Sequence, residues 1–412
     1  VAIILVAHDT AEPALYGAVA AAVAQERSAS LTHLPAIFDT RRHADAVQHV
    51  AAIGALVPSG LVLAERLLGL DVGREAGLGD VLSLGRSGDV VVPWHASVAA
   101  DRRAAEHLSE QAAASGMTVE HVTVVEENGG FRIPGHAAHP WRRDRFGRLT
   151  ETQPSGLPLA PEARLRVGLV GAESDHRHVY PAALAALGDA GDAEGVGIDV
   201  RFVSPPGLRR QDVDAVLDEV DGLVLPGGSD MSNVPGQILM AAGALRRVTP
   251  VIGLCLGMQT MATAVAQKAL GSNDANLAEA DPSAPLKTFT PLCEDVWLPA
   301  HRLGEKTVRL AEGSKLREVL GAEARIRCNH RFRLNPELEP ALGKAGLVIS
   351  ARDDTGRIAD AIELAGHPFY CGMQGHPELT SRWDAPHPLI RAFVRACVDI
   401  LRRCRSRSND RD

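Results

Sequence analysis

One segment constrains this chain more than any other: Gly253-Leu254-Cys255-Leu256-Gly257-Met258-Gln259. An apolar run over residues 248–252 precedes it, and a helical pattern over 260–268 follows. Strand, Gly-x-Cys-x-Gly, helix is the thiol form of a nucleophile elbow. The flanking glycines permit a turn too tight for a Cβ. The sulfur then stands at the carboxyl edge of a sheet, where it can attack an acyl carbon. The plainer reading is a structural cysteine buried after a core strand, and for a lone cysteine that is the commoner case. Partners elsewhere in the chain decide between the two.

A thiol nucleophile needs a base, and the base needs an orienting group. Near the C-terminus stands Gln374-Gly375-His376-Pro377-Glu378, after a short apolar run over 368–373. On an extended segment His376 and Glu378 share one side, with the proline stiffening the space between them. Glu378 then holds one ring nitrogen and the other is free for Cys255. The reaction also needs oxyanion donors. Pro226-Gly227-Gly228 ends a strand and is either an ordinary turn or a source of one donor, the Gly228 N–H. The Leu256 N–H would supply the second.

Composition excludes several classes. The chain has 412 residues, enough for two domains or more. It is 45% hydrophobic but only 4% aromatic, so its core is expected from Ala, Val, Leu and Ile. A net charge of −8 leaves no electrostatic footprint for nucleic acid. No apolar run approaches the roughly 18 residues of a membrane span. The start, Val1-Ala2-Ile3-Ile4-Leu5-Val6, lacks the basic leader of a signal peptide and reads as a first strand. The six cysteines form no CxxC pair and none precedes Cys255, which points to a reducing cytoplasm rather than a disulfide framework or zinc knuckle. No metal and no cofactor are expected.

Along the chain, residues 1–130 alternate strands (2–7, 90–93, 118–125) with Ala-rich helices (15–25, 99–114) and suggest a small α/β domain. Residues 131–165 are basic, rich in Pro and Gly, and without a period, so they read as a loop and linker. Residues 166–402 read as a doubly wound, mostly parallel sheet with helices on both faces. Residues 403–412 read as a disordered polar tail.

The motifs, taken together and in order, resemble the class I (triad-type) glutamine amidotransferases, and within them the glutaminase domain of CTP synthase. The resemblance covers roughly residues 165–400. It rests on Gly253 to Gln259, on Asp274-Ala275-Asn276-Leu277-Ala278-Glu279, on Arg331-Phe332-Arg333-Leu334-Asn335, and on His376-Pro377-Glu378 followed by Ser381-Arg382. It implies an enzyme with Cys255 as nucleophile, His376 as general base and then acid, and Glu378 as orienting group. Gln259, Glu279 and Arg331 would recognise glutamine: Glu279 suits its α-ammonium and Arg331 its α-carboxylate. A synthetase-type partner or a second copy of the chain would receive or carry the ammonia. An alternative keeps the triad for hydrolysis or acyl transfer on a different amide. Another is a regulatory protein that only binds a ligand.

The chain also departs from that pattern. Ser229 and Gly375 stand where the family carries phenylalanines, which suggests a wider and wetter pocket. Ala172 and Ser232 replace a lysine and an arginine. The first lysine of the chain is Lys268, so no P-loop lysine stands before it, and a complete CTP synthase is not expected. The N-terminal candidates for chemistry are His8-Asp9, Trp94-His95, His136 and His139. They are polar residues at strand ends or in the basic loop, and could equally be plain loop residues.

Overall fold

The computed structural model describes residues 1–8, 12–123, 125–127, 130–132, 141–151 and 163–409; Asp9, His136 and His139 lie outside them. The chain divides into two compact units. One is Val1–Leu159 with Ser174–Ala185, and the other is Ala160–Glu173 with Ala186–Asp412.

The first unit begins with β1 (Ala2–His8), α1 (Ala18–Arg27) and β2 (Ser30–Leu31). A small hairpin, β3 (His49–Val50) and β4 (Leu56–Val57), leads to α2 (Val62–Leu68) and α3 (Leu78–Ser87). Then come β5 (Val90–His95), α4 (Ala99–Ala114) and β6 (Thr118–Val122). The sheet order is β2-β5-β1-β6, and every pairing is parallel. Successive strand residues point to opposite faces. Ile4, Val6 and Val91 therefore pack with Val19, Ala20 and Val23 of α1. Ile3, Leu5, Val90 and Val92 pack with Val81 of α3 and Leu108 of α4 on the other face.

Four short strands follow: β7 (Val125–Glu127), β8 (Gly130–Arg132), β9 (Trp141–Arg143) and β10 (Leu149–Glu151). They form an antiparallel sheet, and β9, β10 and most of β8 fall where the sequence suggested only loop. The β9–β10 turn explains the difference. Asp144 accepts from the backbone N–H groups of Phe146 and Arg148 at 2.8 and 2.9 Å, and its other oxygen accepts from Arg148 Nε at 2.7 Å. Side-chain hydrogen bonds, invisible to a hydrophobic period, fold the turn.

The second unit alternates as the sequence predicts. In order come β11 (Ala163–Leu169), α5 (Ala182–Ala193, which enters this unit at Ala186), β12 (Val196–Phe202), α6 (Arg210–Asp218), β13 (Gly222–Leu225), α7 (Val234–Arg247), β14 (Val251–Leu254) and α8 (Leu256–Leu270). Next are β15 (Ala275–Leu277), β16 (Leu286–Pro291), β17 (Arg302–Leu310), α9 (Lys315–Leu320), β18 (Glu323–His330) and β19 (Phe332–Leu334). The last elements are α10 (Glu339–Lys344), β20 (Leu347–Asp353), β21 (Ala359–Leu364), β22 (Tyr370–Met373) and α11 (Pro388–Asn409). The main sheet runs β12-β11-β13-β14-β22-β21-β20-β17-β18. Its first five strands are parallel and form the doubly wound part. From β22 onward the pairings are antiparallel, an extension that the sequence did not reveal.

Met240 and Ala244 of α7 and Met258, Met261 and Val265 of α8 cover one face. On α11, Phe393 and Cys397 press so close to β13 that a Cβ on Gly222 would lie 2.4 Å from the Cys397 sulfur. That helix continues to Asn409 through residues read as a frayed tail, because no glycine or proline interrupts it after Pro388. Among the described residues no helix is long and apolar enough to cross a membrane.

Candidate active site

Three neighbouring parallel strands, β13, β14 and β22, end side by side. Their carboxyl ends release the Pro226-Gly227-Gly228 loop, Cys255, and Gln374-Gly375-His376 respectively. Segments far apart in sequence meet there because the strands are in register.

Cys255 lies between β14 and α8 with φ 51° and ψ −107°. A side chain in that region costs about 1–3 kcal/mol and persists only where its surroundings fix it. They do: its N–H donates to the Met373 carbonyl at 2.8 Å, tying the elbow to β22. Gly257 answers a second constraint, since a Cβ there would fall 1.9 Å from the Leu225 carbonyl oxygen. The helix therefore starts at Leu256, four residues before the helical pattern begins. Leu256 N–H sits at its positive end, unsatisfied within the helix. In the Pro226-Gly227-Gly228 loop, Gly228 has φ 155°. A Cβ on Gly227 would lie 3.1 Å from His376 Cε1 and 3.3 Å from Cys255 Cβ, so this loop lines the same small space.

His376 is buried, and its Nδ1 shares a 2.7 Å hydrogen bond with Glu378 Oε1, also buried. The route differs from the expected extended segment, because Pro377–Leu379 is a single 3-10 turn. Proline with its fixed φ starts that turn, and the turn brings the carboxylate back under the ring. Nε2 has no hydrogen-bond partner. Burial pushes the imidazole down. The Cys255 charge and then the Glu378 charge outweigh it and hold the ring well above the ordinary histidine value. The ring therefore tends to carry its proton.

Gln374, fully buried, is a participant the sequence reading passed over. Its Nε2 donates to Cys255 Sγ at 3.6 Å, and its Oε1 accepts from Gln259 Nε2 at 3.3 Å. A signal existed: Gln374 stands two before His376 at a strand end and shares its side. Gln259 joins the site through this bridge, and its own Oε1 is buried without a partner. The Asn329 carbonyl also approaches the sulfur, at 3.9 Å.

Glu279 and Arg331 lie near enough for their charges to interact. Glu279 follows β15, and Arg331 separates β18 from β19; the three-stranded sheet β15-β16-β19 joins their neighbourhoods. Partial desolvation pushes the Glu279 carboxyl up, and the Arg331 charge opposes it. Both residues are exposed. Arg331 is two residues beyond Asn329, whose carbonyl touches the sulfur.

The expected widening at Gly375 is not what the backbone does. A Cβ on Gly375 would lie 2.7 Å from Ile326 Cβ and 3.1 Å from the Arg327 carbonyl oxygen. The His376 N–H donates to that same carbonyl at 2.8 Å. Strand β18 thus occupies the volume that a side chain at 375 would need.

One group of potential metal ligands occurs among the described residues: Cys328, His330 and Asp360, with ligand atoms within 4.8 Å of one another. Asp360 already pairs with the Arg302 guanidinium, which supplies the positive charge. Burial pushes the Cys328 thiol up to about 12 and holds the His330 imidazole down at about 3. A thiol that keeps its proton is a poor ligand. The group reads as a polar layer beneath the site.

A model of the glutamine amidotransferase class-I family matches residues 191–396, half of the chain. The CTP synthase of Roseiflexus castenholzii is 34% identical over 249 residues, 59% of this chain and 45% of that protein. The CTP synthase of Hyphomonas neptunium is 35% identical over 254 residues, 58% of this chain and 46% of that protein. The chain thus spans about half the length of the curated relatives it matches. Among solved structures, the glutaminase domain of Trypanosoma brucei CTPS with bound acivicin superposes with a TM-score of 0.54 at 26% identity, covering 57% of this chain and 94% of that one. The matched span lies wholly within the second unit, whose fold is similar to that glutaminase domain. The chain belongs to the glutamine amidotransferase class-I family of enzymes.

Proposed function

We propose that this chain hydrolyses glutamine to glutamate and ammonia through a thioester on Cys255. The carrying observation is the junction of a strained elbow cysteine with a buried, carboxylate-held histidine. The thiolate attacks the side-chain carboxamide carbon. The resulting oxyanion accepts from the N–H groups of Leu256 and Gly228. As the C–N bond breaks, His376 Nε2 gives its proton to the leaving nitrogen, and ammonia departs. Water then enters, His376 takes one of its protons, and the hydroxide opens the thioester to release glutamate and restore the thiolate. Glu378 keeps the ring oriented throughout. Gln259, Glu279 and Arg331 bind the amino-acid end of the substrate, with Arg331 meeting the α-carboxylate and Glu279 the α-ammonium. No step needs a metal or a cofactor.

The ammonia is destined for an acceptor held by a synthetase-type partner or by a second copy of the chain. The likeness to CTP synthases supports a biosynthetic acceptor without naming it. Two measurements test the reading. Purified chain should release glutamate from glutamine, with a higher rate when a synthetase-type partner is added. Acivicin should add covalently to Cys255, located by peptide mass spectrometry. Absence of both glutamate release and labelling, with and without a partner, would defeat the proposal.

A further inference from the structure

The first unit carries a group of side chains for which glutamine hydrolysis has no use. Strands β1 and β5 are neighbours, with His8 level with His95, the last residue of each. The chain leaving β1 packs α1 on one face of the sheet, and the chain leaving β5 packs α4 on the other. Adjacent parallel strands whose connections depart to opposite faces open a crevice at their carboxyl ends, where open α/β sheets bind ligands.

The residues at this place are unusual for a loop cluster. The rings of His8, Tyr16, Phe38 and His95 touch in sequence, with centroids 5.5, 5.6 and 5.7 Å apart, the last two contacts edge-on. Tyr16 is anchored by its hydroxyl, which donates to the Pro93 carbonyl at 3.1 Å. Asp101, in the first turn of α4, is 5% exposed, and its Oδ2 has no hydrogen-bond partner. Burial pushes the Asp101 carboxyl up, while a backbone hydrogen bond at His95 and then the His95 charge oppose it; its charge is also felt at Tyr16, which puts the carboxyl in the neighbourhood of these rings with one oxygen still unpartnered. His8 Nε2 is equally buried and unpartnered. Burial first, then the charge of His95, holds the His8 imidazole down at about 4, so it is neutral near pH 7.

A buried carboxylate oxygen without a donor is costly, and native folds rarely keep one without a reason. We propose that the carboxyl ends of β1 and β5 form a binding site for a small organic cation, an ammonium group on an aromatic or apolar body. Asp101 pairs with the charge, neutral His8 accepts one N–H, and the aromatic rings take the body and the cation's field. Anions are disfavoured, because the carboxylate occupies the helix start that would otherwise receive them. The argument rests on the first unit alone and is independent of glutamine hydrolysis.

The test is calorimetric titration of the full chain with benzylammonium, benzyl alcohol and benzoate near pH 7. Benzylammonium should bind saturably and at least about tenfold more tightly than its neutral isostere, and benzoate should not bind. Asp101→Asn should bring benzylammonium to the affinity of the alcohol, a loss of about ten- to a hundredfold. His8→Phe keeps a ring but loses the acceptor and should weaken binding severalfold. Equal affinity for amine and alcohol overturns the proposal, as does no saturable heat with benzylammonium. So does unchanged affinity in an Asp101→Asn protein that melts like the parent. Should that variant melt early, unchanged affinity in His8→Phe has the same force.

Discussion

Replacing Gln374 offers the sharpest test of how the Cys255 sulfur is held. The residue is fully buried and spends both ends of its amide on the site, donating to Cys255 Sγ at 3.6 Å and accepting from Gln259 at 3.3 Å. Gln374→Met keeps the volume and removes the donor. A hydrogen bond to a charged group is worth about 1.5–3 kcal/mol, and the diffuse sulfur at this distance argues for the lower end, roughly a tenfold effect. Gln374→Glu is harsher. An ionised carboxylate at the same place would repel the thiolate by about 4 kcal/mol at an effective dielectric constant near 20, roughly a thousandfold. The assay is the second-order rate of Cys255 alkylation by iodoacetamide at pH 7.5, with thermal melting as the folding control. The expected order is parent, then Met slower by about tenfold, then Glu slower by a further large factor. Alkylation of a folded Gln374→Met protein at the parent rate would refute the reasoning. So would a Glu variant no slower than the Met variant.

Other outcomes follow from the same geometry. Cys255→Ala should abolish glutamate release without loss of fold, and should lower the titration of the His376 ring in a histidine NMR titration, because the thiolate charge that offsets burial is gone. Arg331→Ala should raise the glutamine KM by about tenfold with little change in kcat, since this exposed arginine is proposed to hold one end of the substrate; steady-state kinetics separates the two. Gly375→Phe should destabilise the second unit by about 1–3 kcal/mol and lower kcat, because the ring must displace Ile326 and strain the His376–Arg327 hydrogen bond; melting and turnover should fall together. Burial depresses the folded-state values of His330 to about 3 and of His387 to about 4, so their contribution to stability is present above the unfolded value near 6.5 and is lost as pH falls. By pH 5 each loss is about 2 kcal/mol, and His330→Gln should flatten the fall in melting temperature between pH 7 and pH 5.

The parallel core and its motifs were legible because each signal is local. Residues 253–259 carry their own glycine punctuation, and the apolar runs before Pro226 and Cys255 are short, pure and followed by turn residues. Residue spacing also brought His376 and Glu378 together, although the connection proved to be a turn rather than an extended segment. The antiparallel strands were hidden for the opposite reason. β17 and β18 mix charged and apolar residues, as in Glu305-Lys306-Thr307-Val308-Arg309, and their pairing partners are chosen at long range.

That hidden half of the sheet changes how the site is read. Taken alone, Gly375 in place of a phenylalanine suggests empty space. Beside β18, the same glycine is the position at which a neighbouring strand comes close enough to hydrogen-bond the His376 segment: the Arg327 carbonyl takes the His376 N–H, and Asn329, two residues on, brings its carbonyl to the sulfur. One strand therefore steadies the proposed base, touches the proposed nucleophile and leads directly into Arg331, the proposed anchor for the substrate carboxylate. A substitution within β18 that shifts it along its own axis should disturb binding and chemistry together, whereas one at Glu279 or Arg331 should disturb binding alone. The sequence shows each of these residues; only the pairing of β18 beside His376 shows that they depend on one strand.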